Sequence, residues 1–330
     1  MITACEEQVD VKSETVFTGS TMGTTFMVKV IDLPDALKPQ EIKAEIDKVL
    51  KDVNDKMSLW VADSELVRFN QSKETDWQQV SYDLFNVISS ANEISLQSNG
   101  RFDVTLEPLI KLWGFSKEKR EHEPPQSDEI KKALKAIGYK KIHLDQKSYR
   151  IKKDEPDLTI NLSAIAKGFG IDQVARYLES KGVGHYMVEI GGDLRVKGSN
   201  AHRQPWKIAI ETPTADSRSL HSIIDVETTG MATSGDYRNY FEKDGVRFSH
   251  IIDPLDGRPI RHKLASVTVL RKDAMTADAL ATTLLVMGEE DGLKWAEDNG
   301  IAAYFLIRSQ DQFIEKKTSQ FHAFVQPLNK

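Results

Sequence analysis

The sequence predicts an α+β fold built as a single mixed α/β domain, with or without a division into two lobes. Three observations predict it. Helical and strand periodicities are interspersed along the 330 residues. They lack the strand–helix–strand rhythm of a doubly wound parallel sheet. No Pro/Gly/Ser-rich or charge-biased stretch marks an interdomain linker beyond residue 20. The composition agrees, since 40% hydrophobic and 28% charged residues with 19 Gly and 11 Pro are those of a globular chain.

Residues 1–15 are polar and aperiodic, so 1–17 reads as a tether ahead of a domain spanning 18–330. Residues 25–31 alternate as a strand. Pro39 opens a helix, where its missing N–H costs nothing, with Ile42, Ile46, Val49, Leu50, Val53 and Met57 on one face. A second helix has Ser81 as N-cap, an apolar face from Leu84 to Ile94, and Gly100 as its stop. Charged, Pro-containing 116–126 reads as a surface loop and 127–137 as a short helix. The middle runs from a strand at 158–162 into a helix at 164–180 closed by Gly182. Strand-like runs follow at 186–190, 206–211, 222–226, 248–252 and 265–270. Helices at 276–287 and 289–298, stopped by Gly288 and Gly300, precede closing strands at 302–307 and 313–315.

A net charge of −6 without an offsetting Lys/Arg block excludes a general nucleic-acid binder. No apolar run approaches the roughly 20 residues of a membrane-spanning helix. The single cysteine, Cys5, excludes a disulfide framework and a Cys-rich zinc site. Ile2-Thr3-Ala4-Cys5 followed by a polar stretch resembles the end of a bacterial lipoprotein signal, trimmed near its cleavage site; a plain N-terminal cysteine reads the same way.

Four constellations carry candidate chemistry. In Thr276-Ala277-Asp278-Ala279-Leu280-Ala281-Thr282-Thr283, Asp278 and Thr282 are four residues apart, on one helix face. A carboxylate and a hydroxyl so placed suit a hard cation such as Mg²⁺. The alternative is an acid that merely favours the helix N-terminus. In Asn161-Leu162-Ser163-Ala164-Ile165-Ala166-Lys167-Gly168-Phe169-Gly170, a helix start with a Lys in its first turn suits an anion. A tight packing turn needing small residues is the other reading. Glu189-Ile190-Gly191-Gly192-Asp193 and Thr233-Ser234-Gly235-Asp236-Tyr237 are glycine turns, fit for a close ligand or an ordinary hairpin. In Ser249-His250-Ile251-Ile252-Asp253-Pro254, His250 sits at a strand end, placed either for structure or to handle a proton.

Taken in order, these segments resemble the ApbE family of FAD:protein FMN transferases. The matching pieces begin with Ser20-Thr21-Met22-Gly23-Thr24-Thr25, Leu66-Val67-Arg68-Phe69-Asn70, Gly100-Arg101-Phe102-Asp103-Val104-Thr105 and Leu112-Trp113-Gly114-Phe115. They continue through Asn161 to Gly168, Gly191-Gly192-Asp193, Ala232-Thr233-Ser234-Gly235, Ser249 to Pro254, and Asp278 to Thr282, spanning roughly 18–324. The resemblance implies a fold of the ApbE type, with the FAD site between the lobes if there are two. It implies Mg²⁺ held by Asp278, Thr282 and the backbone carbonyl of Ala164. FAD contacts fall to Met22, Trp60, Arg101, Phe102, Asp103, Asn161, Lys167 and Ile252, and activation of the acceptor to His250. Asn161 stands where many members carry Asp, and Ala281 where some carry a second acid.

The implied reaction moves FMN from FAD to a threonine hydroxyl of a target protein, with AMP leaving. The implied partners are acceptors with a Ser/Asp-Gly-Ala/Ser-Thr motif in Nqr- and Rnf-type electron-transport subunits. A lipid on Cys5 would anchor the enzyme to the membrane on the periplasmic side. Two alternatives stay open from sequence: a Mg²⁺-dependent FAD pyrophosphatase giving FMN and AMP, and a non-catalytic periplasmic FAD-binding lipoprotein.

Overall fold

Eight strands of the main sheet pair in the order in which the chain makes them. A computed structural model describes residues 11–116, 123–214, 219–310 and 312–325. Cys5 and most of the 116–126 loop lie outside them. β1 (Glu14–Thr21) and β2 (Thr24–Ile31) form a hairpin through Met22 and Gly23, both at positive φ as a tight hairpin turn requires. Then come β6 (Tyr186–Ile190), β7 (Asp193–Lys197), β10 (Thr229–Gly235), β15 (Leu264–Arg271), β16 (Ala302–Ser309) and β17 (Gln312–Lys317), each antiparallel to its neighbours.

The site is built from what is inserted between these strands. Between β2 and β6 lie α1 (Pro39–Met57), α2 (Glu65–Gln71), α3 (Tyr82–Gln97), α4 (Glu107–Leu112), α5 (Ser127–Lys135), α6 (Ala166–Ser180) and a small sheet of β3 (Gln78–Gln79), β4 (Ile142–Asp145) and β5 (Arg150–Lys153). The ribbon β8 (Trp206–Glu211) with β9 (Leu220–Val226) separates β7 from β10. Two hairpins, β11 (Tyr240–Lys243) with β12 (Val246–Ser249) and β13 (Ile252–Asp253) with β14 (Arg258–Pro259), separate β10 from β15. α7 (Ala274–Met287) and α8 (Asp291–Asp298) precede β16, and α9 (Phe321–Phe324) ends the described chain.

Both faces of the sheet are covered, which is why β15 is buried along nearly its whole length. One face carries α1 and α6, with Ile42, Ile46 and Leu50 against Val28 and Val30, and α7, with Leu284 beside Val267 and Phe305 in the core. The other face is closed by the β8–β9 ribbon and α9, through Trp206, Ile208 and Phe321. α7 is apolar almost all round, so it must run through the core. Its N-terminus is gripped from both sides. Asp172 of α6 accepts the Ala274 and Met275 amides at 3.1 and 2.9 Å. Gly168 and Gly230 allow the approach, since a Cβ on either would lie 2.3 or 2.5 Å from Ala274 backbone atoms.

The structure corrects the expected elements in four places. β1 begins at Glu14, so the end of the expected tether is already in the sheet; only Phe17 and Thr21 of this edge strand are buried, which leaves little alternation to read. Residues 158–162 are no strand: Asn70 exchanges hydrogen bonds of 2.8 Å with the Ile160 amide and carbonyl, and the Asn161 amide donates to the Val104 carbonyl. The expected 248–252 strand breaks at His250-Ile251, and the helix expected from 164 starts at Ala166 because Ile165 is outside helical geometry (φ −149°).

Candidate active site

The cavity of the molecule that concentrates these groups, about 340 Å³, opens between the loops before α6 and those between β10 and β15. A cleft of that size takes part of a nucleotide-sized ligand in its interior. α7 supplies Asp278 and Thr282 to its lining, as their four-residue spacing predicts.

Asp278 is 4% exposed, so its carboxylate depends on its partners. The Gly168 amide donates to Asp278 Oδ2 at 3.1 Å, and Lys167 Nζ stands 3.9 Å from Oδ1. Burial, with Asp193 nearby, pushes Asp278 up to about 6 against the opposing pull of Lys167 and the Gly168 amide. Lys167 is the shared counter-ion. It pairs directly with Asp193, and although burial works against its ammonium, Asp193 and Asp278 outweigh that and raise it. Asp193 in turn accepts the Thr233 amide of β10 at 3.0 Å. Thr282 Oγ1 shares a 3.0 Å hydrogen bond with Ser234 Oγ. Gly168 is in the first turn of α6, so its amide has no acceptor within the helix and is spent on Asp278; Ala164, also lining the cavity, lies just before that helix.

These contacts bear on the local alternatives. Asp273 caps α7 by accepting the Thr276 amide, and Asp278 stands in the second turn with its carboxylate on the Gly168 amide. Gly168 is a packing glycine, pressed against the backbone of Ala274 and Met275. Gly191 and Gly192 make the β6–β7 hairpin turn, both at positive φ. Thr233 to Gly235 lie inside β10 rather than in a turn.

His250 lies across the cavity lining, half-buried, between β12 and β13. Its Nδ1 is 2.9 Å from the Asn239 carbonyl, which also accepts the His250 amide at 3.0 Å. A carbonyl only accepts, so Nδ1 carries the proton and Nε2 is left with its lone pair. Burial lowers the His250 pKa below its usual value, with the Asn239 carbonyl and Asp236 opposing. At neutral pH the ring is a neutral base.

Arg101, Phe102, Asp103, Asn161 and Ile252 also reach the lining. Arg101 Nη1 is 2.6 Å from Asp253 Oδ2. Asp103 serves the backbone: it accepts the Thr105 amide and hydroxyl and the Tyr139 amide, and burial raises its pKa against those bonds. Asn161 donates to Glu107 Oε2 at 2.7 Å. Met22 and Trp60 do not line the cavity. Met22 packs on α6 at Gly170, and Trp60, 68% exposed, lies just past α1. The sequence reading missed three contributors: Asp193 as the partner of Lys167, Ser234 as that of Thr282, and Asn239. Asp193 and Lys167 are 26 residues apart, and Asn239 acts through its carbonyl, which no residue type announces.

Comparison with known proteins places the chain in a family. The model of the ApbE family matches residues 22–305. The FAD:protein FMN transferase of Vibrio cholerae is 45% identical over 98% of this chain and 96% of its own, and that of Haemophilus influenzae 43% over 97% and 93%. A solved structure of the flavin transferase ApbE from Vibrio cholerae superposes with a TM-score of 0.88 at 44% identity, over 95% of this chain and 99% of the other. The Thermotoga maritima ApbE protein gives 0.85 at 29% identity, over 96% and 100%.

Proposed function

The chain belongs to the ApbE family, and from that premise we propose that it transfers the FMN half of FAD to a threonine hydroxyl of another protein, with Mg²⁺ at the Asp278 end of the cavity. It is an enzyme, an FAD:protein FMN transferase like its relatives. One observation carries the finer reading: a single cavity holds a buried carboxylate among oxygen donors and a neutral histidine with its Nε2 lone pair free of the Asn239 bond.

Among the described residues no three His, Cys, Asp or Glu side chains cluster as a metal-ligand group. The donor set still fits a hard cation that keeps several ligands from water and phosphate. Asp278 brings a carboxylate, Thr282 a hydroxyl and Ala164 a backbone carbonyl just ahead of α6; all are oxygens. When bound, Mg²⁺ neutralises charge on the pyrophosphate and the departing phosphate.

The chain's own residues do the rest. Lys167 supplies positive charge where the helix α6 begins, already held by Asp193 and so placed without reorganisation. Arg101, tied to Asp253, fixes the wall on which the FAD is laid. His250 Nε2 accepts the threonine proton as the hydroxyl oxygen attacks the FMN-side phosphorus. The bond to the AMP phosphate breaks, and AMP carries away the electron pair. Flavin is cargo, so no redox step is asked of the protein.

The acceptor we propose is a Ser/Asp-Gly-Ala/Ser-Thr segment of Nqr- or Rnf-type subunits. A lipid on Cys5 would keep the enzyme on the periplasmic membrane face beside them. The test is intact mass of an acceptor domain carrying that motif after incubation with FAD and Mg²⁺. A gain of FMN minus water, lost with EDTA, supports the reading. Free FMN and AMP with an unmodified acceptor would make the chain a pyrophosphatase instead.

A further inference from the structure

The loop that holds His250 carries a two-pronged ion pair away from the reacting groups. We propose that Arg308 is a positioning residue for the transfer: through Asp236 it fixes the 236–239 loop, whose Asn239 carbonyl sets the place and tautomer of His250. The inference rests on the reading of His250 as the base.

Arg308 sits near the end of β16, and its amide is held at 2.8 Å by the Lys263 carbonyl, so its guanidinium starts from the rigid sheet. Nη1 donates to Asp236 Oδ2 at 3.0 Å and Nη2 to Oδ1, the fork geometry that fixes a carboxylate in orientation as well as position. Asp236 follows β10 directly and is tied at three points. Its carboxylate is held by Arg308, its amide donates to the Ala265 carbonyl at 3.2 Å, and its carbonyl accepts Arg247 Nη2 at 2.5 Å. The Tyr237 ring folds back over Gly235, where a Cβ would meet it at 2.4 Å. Three residues after Asp236, the Asn239 carbonyl takes both the amide and Nδ1 of His250. Of the three ties on Asp236, only the one to Arg308 anchors it to the sheet by a side chain that no cavity group shares.

Asp236 is 7% exposed, so Arg308→Ala would leave a buried carboxylate unpaired beside the loop, and the loop would move to solvate it. The base would then be misplaced while the Asp278 end stayed as it is. A misplacement of about 1 Å costs on the order of 10²-fold in rate.

The experiment is a double-mutant cycle on single-turnover FMN transfer, with FAD affinity read from flavin fluorescence in every variant. Arg308→Ala is expected to slow transfer by about 10- to 100-fold with FAD affinity within about twofold of wild type. In a His250→Ala background the same substitution should change the residual rate by less than about twofold. An equal loss in both backgrounds, or no loss with His250 present, overturns the proposal. A His250→Ala enzyme as fast as wild type overturns the base reading itself, which separates the two failures. Asp236→Asn, which keeps the shape but weakens the pair, gives the same cycle if Arg308→Ala does not fold.

Discussion

The two ends of the cavity are built differently. Asp278, Thr282, Lys167 and Asp193 stand on α7, α6 and β7, elements locked by the core, and two of these side chains are almost wholly buried. His250 and Asn239 stand in the segments flanking the β11–β12 hairpin and are held by two bonds to one carbonyl and by the Asp236–Arg308 pair. The first end is preorganised by packing, which suits a ligand part that never varies, such as a pyrophosphate. The second is shaped by a few polar bonds on loops, which suits a protein segment that must enter, react and leave.

Substitutions that break the comparison follow in order of size. Asp278→Ala should lower transfer on the order of 10³-fold, since it removes the charged group at the packed end; steady-state FMN transfer checks this, and a rate near wild type would remove Asp278 from the metal site. His250→Ala should lower transfer by about 10²- to 10³-fold, the worth of a placed base, while leaving FAD binding intact. Gly168→Ala should cost about 1–3 kcal/mol of stability by pushing α6 off α7, read from urea unfolding.

A pH dependence separates the two ends more finely. Asp278 has its folded pKa raised from 3.8 to about 6, so its contribution to stability is greatest at low pH and lost as pH rises through that window. Without metal, Asp278→Asn should therefore gain in Tm over wild type between about pH 4 and 6 and keep that gain at pH 7; Mg²⁺ should restore the wild type alone. Burial lowers the His250 pKa below its usual value, so the ring is mostly neutral at pH 7 and adds little charge change there. The smallest effect is on Trp60→Ala, which should leave stability within about 0.5 kcal/mol because the ring is largely exposed; the chevron or melt checks it.

Much of the packed end was legible in the sequence, because helix periodicity places Asp278 and Thr282 on one face and small residues around Gly168 announce a close approach. What the sequence could not display is the third dimension of that end. The Lys167–Asp193 pair spans two elements brought together only by the sheet, and α7 is apolar all round, so periodicity alone does not say which face is free. At the loop end, His250 was visible as a residue type at a strand end, but Asn239 acts through backbone and Arg308 lies far along the chain. Residues 158–162 misled because Leu158, Ile160 and Leu162 alternate into the core as in a strand, while the Ile160 backbone pairs with the Asn70 side chain rather than with a neighbouring strand.

The division between the two ends is tested most directly by measuring FAD affinity, with and without Mg²⁺, beside single-turnover FMN transfer in Asp278→Ala and His250→Ala. Loss of the Mg²⁺ dependence of FAD binding in the first, and wild-type binding without transfer in the second, is the predicted result. Loss of FAD binding in His250→Ala would contradict it, because the histidine would then belong to the FAD pocket rather than to the acceptor side.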